Sequence, residues 1–232
     1  VHIQGENQEQ VLRHWNQLQR VLNPGGGGAI LEITPEDKDP RHIRVLYKEG
    51  LGGDFGNQYR KYWYTIGVRL IALDPYWMGE TKTQVWKTQT NSKIFISGGD
   101  RVKTHKFFPI ILDESALSSG RRVTVDSDVP VAPIWSVTGP VTDLKISDDK
   151  GNAINFSGNI DPGSTLTIDT AKYKIALVKN GELQDSDDSL YARLGSESDM
   201  FQLVPGSSTI KVGGAGMTAE SRVEMSYMPR YL

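Results

Sequence analysis

The hydrophobic residues near the start of the chain recur with helical spacing. Intervals of four, three and four residues define one apolar helix face, formed by Val11, Trp15, Leu18 and Leu22. Polar residues fill most of the remaining positions of this segment. Asn23-Pro24 and the glycines at 25–28 follow directly and are strong signals for the end of a helix. The pattern therefore predicts one amphipathic helix that ends near residue 22.

The hydrophobic period then changes from about 3.6 residues to 2, which is typical of strands with one buried face. In the first part of the chain the pattern predicts strands over 29–33, 43–48, 62–72, 85–88, 94–96 and 122–125. In the rest it predicts strands over 134–138, 144–147, 153–156, 165–169, 173–179, 209–212 and 222–227. Asn180-Gly181 predicts a type I′ hairpin turn between two strands. Many short strands separated by turns indicate a β-sandwich or jelly roll.

A boundary between two domains is predicted where two prolines lie close together. Pro130 and Pro133 disfavour a helix or a central strand. We therefore expect residues 126–134 to form an extended linker with few contacts. The predicted domains are residues 1–130, which contain the helix, and residues 131–232, which contain strands throughout.

Composition narrows the classes of function. The formal net charge of -2 argues against a dominant role in binding nucleic acid or anionic membranes. No apolar run is long enough for a membrane-spanning helix. The chain has no cysteine, which excludes disulfide scaffolds, thiol catalysis and cysteine-ligated metal centres. Because the chain begins at Val1 in the middle of a pattern, we expect further sequence before it.

Two glycine-rich segments could form functional loops. The glycines at 25–28 follow a helix and precede a strand, which is the reverse of a phosphate-binding loop, so a flexible turn is favoured. The segment 50–56 lies between two predicted strands and is interpreted as a long hairpin loop. A contact with another subunit is the functional alternative for this loop. Its candidate contact residues are Gly52, Gly53 and Phe55.

No catalytic, cofactor-binding or metal-ligating residue is predicted. The acidic clusters at 148–149 and 185–188 favour solvated loops over a calcium site, because they lack the spacing of a calcium-binding loop. The four histidines do not cluster, and the Gly-x-Ser-x-Gly pattern is absent. A distant pair of carboxylates for glycoside hydrolysis stays open. For Asp169, a turn cap that accepts backbone N–H groups before Tyr173 is favoured over a catalytic role.

Aromatic residues are concentrated over residues 59–86. They could fill a core, form a sugar-binding platform or form a subunit interface. Pro75 predicts that the preceding strand ends or bends there. In an extended chain Tyr76 and Trp77 point to opposite sides, and we expect Trp77 in the core of the first domain. Tyr76 would then meet the second domain or a neighbouring subunit, and both residues are interface candidates.

Four segments resemble one protein family in their order along the chain. They are residues 73–79 (LDPYWMG), 132–140 (APIWSVTGP), 162–170 (PGSTLTIDT) and 222–232 (RVEMSYMPRYL). Together they resemble the distal tail proteins of long-tailed bacteriophages with flexible tails. The resemblance covers nearly the whole chain. It departs from the family in one respect, since family members usually have strands before the helix.

The resemblance implies a mainly β fold with a barrel-like first domain that carries one helix, followed by a galectin-like sandwich. It implies a virion structural protein rather than an enzyme. Six copies would form a ring at the tail tip, assembled in the host cytoplasm. The implied partners are the tail tube protein, tail-tip hub proteins, and tape measure or receptor-binding proteins. No cofactor, specific nucleic-acid binding or membrane insertion is expected. The alternative is a carbohydrate-binding module that attaches to a cell-surface glycan, with which the sandwich and the aromatic residues also agree.

Overall fold

The computed structural model describes residues 1–23, 25, 27–36, 39–51, 62–87, 120–186 and 188–232. Over these ranges the chain is mainly β, with strands in four sheets and two helices. The predicted fold class is therefore confirmed. The chain divides into two compact units. The first unit contains Val1–Glu80 together with Arg230–Leu232, and the second contains Thr81–Pro229.

The predicted helix is confirmed as α1 (Gln8–Val21). Asn7 caps its first turn, because the Asn7 side chain accepts a hydrogen bond of 2.9 Å from the Gln10 backbone N–H. Val11 and Trp15 are buried on its apolar face. The ring of Trp15 meets that of Tyr64 edge to face at 5.4 Å, which anchors the helix in the core of the first unit.

The first unit contains two sheets. Its strands are β1 (His2–Gln4), β2 (Ala29–Ile33), β3 (Arg41–Glu49), β4 (Trp63–Thr65), β5 (Arg69–Ala72), β6 (Trp77–Met78) and, at the end of the chain, β17 (Arg230–Tyr231). Strands β1 and β4 form a two-stranded sheet. The other strands form a sheet in the order β17-β6-β3-β2, and β5 also pairs with β3. All these pairs are antiparallel.

Two expectations for this unit need correction. The strand predicted over residues 62–72 is divided into β4 and β5, because the two halves pair with different strands and residues 66–68 lie between them. The barrel expectation also fails for the described residues, since β2 is an edge strand and the sheet stays open. A short strand, β1, does precede the helix.

The second unit is a β-sandwich. Its strands are β7 (Lys82–Lys87), β8 (Arg121–Val125), β9 (Ile134–Thr138), β10 (Val141–Ser147), β11 (Ala153–Ile160), β12 (Ser164–Asp169), β13 (Lys174–Lys179), β14 (Glu182–Ser186), β15 (Gly206–Ala215) and β16 (Arg222–Tyr227). One sheet has the order β11-β10-β15-β8, and the other has the order β14-β13-β12-β9-β16-β7. A short helix, α2 (Asp188–Tyr191), was not predicted.

Both sheets of the second unit contribute to one hydrophobic core. Ile146 and Ile210 come from the four-stranded sheet, and Leu166 and Val223 come from the six-stranded sheet, all with no exposed surface. This is the arrangement of a sandwich, in which the side chains along each strand point alternately into the core and towards solvent. Asn180 and Gly181 both have positive φ, at 52° and 85°, between the paired strands β13 and β14. The predicted type I′ turn is thus confirmed.

The structure divides the chain at a different place from the predicted boundary at residues 130 and 131. Strands β7 and β8 precede that boundary, yet β7 pairs with β16 and β8 pairs with β15 inside the second unit. The expectation of an extended linker with few contacts over 126–134 is also wrong, because this segment is bound within the second unit. Val131 is buried and exchanges backbone hydrogen bonds of 2.9 and 2.8 Å with Leu203. The strand predicted over 94–96 lies outside the described residues.

Candidate functional site

The segment Asp74–Met78 carries the two aromatic interface candidates. Tyr76 and Trp77 are both half-buried, so the expectation that Trp77 lies in the core is wrong. Strand β6 is only two residues long, and Trp15 and Tyr64 supply the rings of the core cluster beside α1 instead. Trp77 is paired with Tyr231 across the β6–β17 ladder.

Arg230 contacts Asp74 and Tyr76 of this segment. Its guanidinium lies 3.6 Å from a carboxylate oxygen of Asp74 and 5.7 Å from the centre of the Tyr76 ring. Both contacts are partly exposed, so their strength depends on ionic strength. The arrangement orders a half-buried aromatic surface that contains Tyr76 and Trp77.

The glycine-rich loop that begins at Gly50 is fixed at its first residues. Gly50 has a φ of 116° and packs so closely on the Gly67 backbone that a Cβ would overlap the Gly67 carbonyl oxygen. The Leu51 backbone N–H donates a 2.9 Å hydrogen bond to the Tyr47 hydroxyl. The three candidates Gly52, Gly53 and Phe55 lie outside the described residues.

Strand β2 presents an apolar edge that sequence reasoning missed. It pairs with β3, and among the described residues its second edge has no strand partner. Ile30 is 70% exposed, Leu31 43% and Ile33 39%. Proteins usually protect such edges with lysine, proline or a bulge, whereas β2 has the sequence Ala-Ile-Leu-Glu-Ile and a regular register. The only available sequence signal was a strand with apolar residues at successive positions.

A second exposed apolar group lies on the opposite side of β3. Strand β5 pairs with Val45–Glu49 of β3, and its residue Ile71 is 43% exposed. The registers place Ile30, Leu46 and Ile71 on the same face of the sheet, because Ile30 is opposite Arg44 and Ile71 is opposite Leu46. Leu73, just after β5, is 75% exposed. We call Ile30, Leu31 and Ile33 of β2 the apolar edge surface, and Ile71 and Leu73 form a separate apolar group beyond β3.

The aromatic cluster over 59–86 is divided by the fold. Tyr64 is buried in the first unit and Trp86 in the second. Tyr62 is 51% exposed and Trp63 41% exposed, and the ring of Trp63 lies 5.7 Å from that of His2. Among the described residues of the cluster, Tyr64 and Trp86 are therefore core residues, whereas Tyr62 and Trp63 lie at the surface.

The acidic residues at 148–149 stabilise a turn. Asp148 accepts hydrogen bonds of 2.9 Å from the backbone N–H groups of Lys150 and Asn152. Asp149 accepts one of 2.9 Å from the Thr209 backbone N–H. Over the described ranges, no group of three or more acidic or histidine side chains could hold a metal ion. None of the described helices is long and apolar enough to cross a membrane.

The prediction for Asp169 is confirmed. Its Oδ1 atom accepts hydrogen bonds of 3.0 Å from the backbone N–H groups of both Ala171 and Lys172, in the turn before Tyr173. The carboxylate thus caps the connection between β12 and β13.

A small cavity of about 120 Å³ lies in the first unit, beside the end of α1. Leu22, Gly28, Leu46 and Tyr47 are among its lining residues. Pockets for small-molecule ligands are usually about 300–1,000 Å³, so this cavity is too small for a ligand of ordinary size.

One family model matches this chain, and its fold is similar to that of a solved phage protein. A family model for the C-terminal domain of siphovirus-type tail components matches residues 114–231. The fold is similar to the crystal structure of the Dit protein of phage SPP1, described as a paradigm of the hub adsorption apparatus in phages that infect Gram-positive bacteria. That similarity has a TM-score of 0.59 and 13% identity, over 100% of this chain and 76% of the other.

A second similarity is to the activated, calcium-containing baseplate of phage P2. It has a TM-score of 0.45 and 10% identity, over 98% of this chain and 76% of the other. No curated protein matches the sequence.

Proposed function

The chain belongs to the family of siphovirus-type tail components, and we propose that six copies of it form a ring at the distal end of a phage tail. In this proposal the ring joins the tail tube to the tail tip and carries no catalytic site. Its partners are the tail tube protein and tail-tip hub proteins, with tape measure or receptor-binding proteins as further partners. The chain assembles in the host cytoplasm and remains in the virion at the tail tip.

The exposed edge of β2 is the observation that carries the ring proposal. A closed ring needs two different surfaces on each subunit, which meet head to tail around the symmetry axis. Within the part of the chain that the structure describes, the second edge of β2 has no strand partner and carries apolar side chains, and Ile71 and Leu73 lie beyond β3 on the other side of the sheet. An apolar edge strand is a template for pairing with another chain. The first unit therefore has the features of a ring-forming unit.

The experiment measures the mass of the full chain by size-exclusion chromatography with light scattering. We expect a particle of about six times the chain mass of 25.7 kDa that persists on dilution, because stable obligate interfaces commonly bury more than about 2,000 Å². A monomer would contradict the ring. A monomer that also binds a cell-surface glycan would instead support the carbohydrate-binding alternative.

A matched pair of variants tests the edge itself. Ile30→Lys places a charge on the apolar edge surface, and Leu183→Lys makes the same change on β14, an edge strand of the second unit where the residue is 62% exposed. We expect Ile30→Lys to stay folded and to lose the ring, while Leu183→Lys retains it. Equal assembly of the two variants would contradict the role of β2.

A further inference from the structure

Residues 230 and 231 complete the sheet of the first unit. Arg230 and Tyr231 form β17, whose register pairs Arg230 with Met78 and Tyr231 with Trp77. Tyr231 is buried, with only 7% of its surface exposed. The guanidinium carbon of Arg41, at the start of β3, lies 3.5 Å from the centre of the Tyr231 ring. Strand β17 is therefore an ordered part of this unit.

Strand β6 depends on this pairing. It meets β3 through one residue pair, His42 with Met78, and meets β17 through two pairs. Without β17, a two-residue strand would keep a single pair on one side, and short isolated pairings are not stable alone. Asp74 and Tyr76 would also lose their contacts with Arg230. Loss of β17 therefore releases the whole segment that presents Tyr76 and Trp77.

We infer that residues 230–232 make the first unit conditional on synthesis of the whole second unit, so that only copies that extend through β17 enter the ring. The inference rests on the proposed ring. The first unit consists of residues 1–80 and 230–232, so 81–229 must be synthesised before β17 can pair. A copy that ends early, in any part of the second unit, lacks the completed segment. The device excludes from the proposed ring any copy that ends before β17.

The test compares the full chain with a variant that ends at Pro229. Light scattering measures assembly, and amide hydrogen exchange measures the order of residues 74–79. We expect the shortened chain to lose the ring and its 74–79 amides to exchange at least about tenfold faster, as local opening becomes easier. Amides of the second unit, such as those of β12, should exchange at the rate of the full chain.

Point variants distinguish the effect of the Tyr231 aromatic side chain from the effect of shortening the chain. Tyr231→Ala should reproduce the fast exchange over 74–79. Tyr231→Phe retains an aromatic ring beneath Arg41, so the amides of 74–79 should exchange slowly in this variant. A shortened chain that assembles as the full chain does would overturn the inference. Unchanged exchange over 74–79 in the shortened chain would also overturn it. A full chain that is monomeric contradicts the ring, and the exchange experiment still decides whether β17 orders β6.

Discussion

The indole rings of Trp86 and Trp135 pack against each other in the core of the second unit, with their centroids 5.9 Å apart. Both side chains are buried, at 4% and 0% exposure. Trp86 belongs to β7, and both β7 and β8 precede Pro130 and Pro133 in the sequence. Its position in this core shows that the sandwich recruits a strand from the part of the chain predicted to form the first domain.

Trp86→Ala should therefore destabilise the second unit. Truncation of a large aromatic side chain in a core typically costs about 3–5 kcal/mol. Chemical denaturation of the full chain, followed by near-ultraviolet circular dichroism, measures the loss. Trp63→Ala is the control, because Trp63 is 41% exposed and surface changes usually cost less than about 0.5 kcal/mol. Similar losses for the two variants would contradict the assignment of β7 to the sandwich core.

Gly50→Ala should destabilise the first unit. The φ of 116° and the overlap of a Cβ with the Gly67 carbonyl oxygen both oppose a side chain at residue 50. Such a substitution costs more than about 1 kcal/mol where the backbone cannot relax. Gly67→Ala tests the other side of the contact, because a Cβ at Gly67 has no atom within 4 Å in the described structure. Thermal melting should separate the two variants, and equal melting temperatures would count against this close approach.

Asp169→Ala should lower the stability of the second unit by about 1 kcal/mol, because this is the typical net contribution of an intramolecular hydrogen bond to stability. Asp169→Asn retains an oxygen acceptor and should cost less. Neither variant should change assembly, because the two bonds lie within one turn. Urea denaturation measures the difference. A larger loss for Asn than for Ala would indicate that Asp169 has a role other than capping.

Arg193→Lys should destabilise the β11 region although it keeps the charge. The Arg193 guanidinium donates hydrogen bonds of 2.9 Å to the carbonyl oxygens of Ser157 and Asn159 and lies 4.4 Å from the Phe156 ring centre. A lysine cannot reproduce this planar fork. We expect a loss of about 1–2 kcal/mol and faster amide exchange over residues 156–160. If the variant exchanges at the wild-type rate, the two hydrogen bonds from Arg193 do not stabilise this part of β11.

Local pattern was sufficient for elements whose cause is local. The helix α1 follows from the spacing of Val11 and Trp15, and the turn at Asn180-Gly181 follows from two residues that tolerate positive φ. Strand partners were not predictable in the same way. The pairing of β7 with β16 joins residues 82–87 to 222–227, and no periodicity along the chain encodes which strands meet. The proline pair was therefore mistaken for a linker.

The candidate interface was predictable only in part. Tyr76 and Trp77 were identified from their chemistry, but the two-residue length of β6 decides that Trp77 is half-buried. Ile30 belongs to a strand whose apolar residues suggest burial, yet it is 70% exposed. That exposure follows from the face of the sheet on which Ile30 lies together with the exposed Ile71, and this face is decided by the register of the finished sheet.

The discontinuous first unit has a consequence for exchange of modules between related chains. At its junction, Met78 pairs with Arg230, so the chain leaves and re-enters this unit through adjacent antiparallel strands. Within the second unit, Lys82 pairs with Tyr227, so that unit also begins and ends on adjacent antiparallel strands. The sandwich thus has the geometry of a cassette. A different β domain whose first and last strands are antiparallel neighbours meets the same requirement, and recombination at these two joints would replace the second unit while it preserves the first.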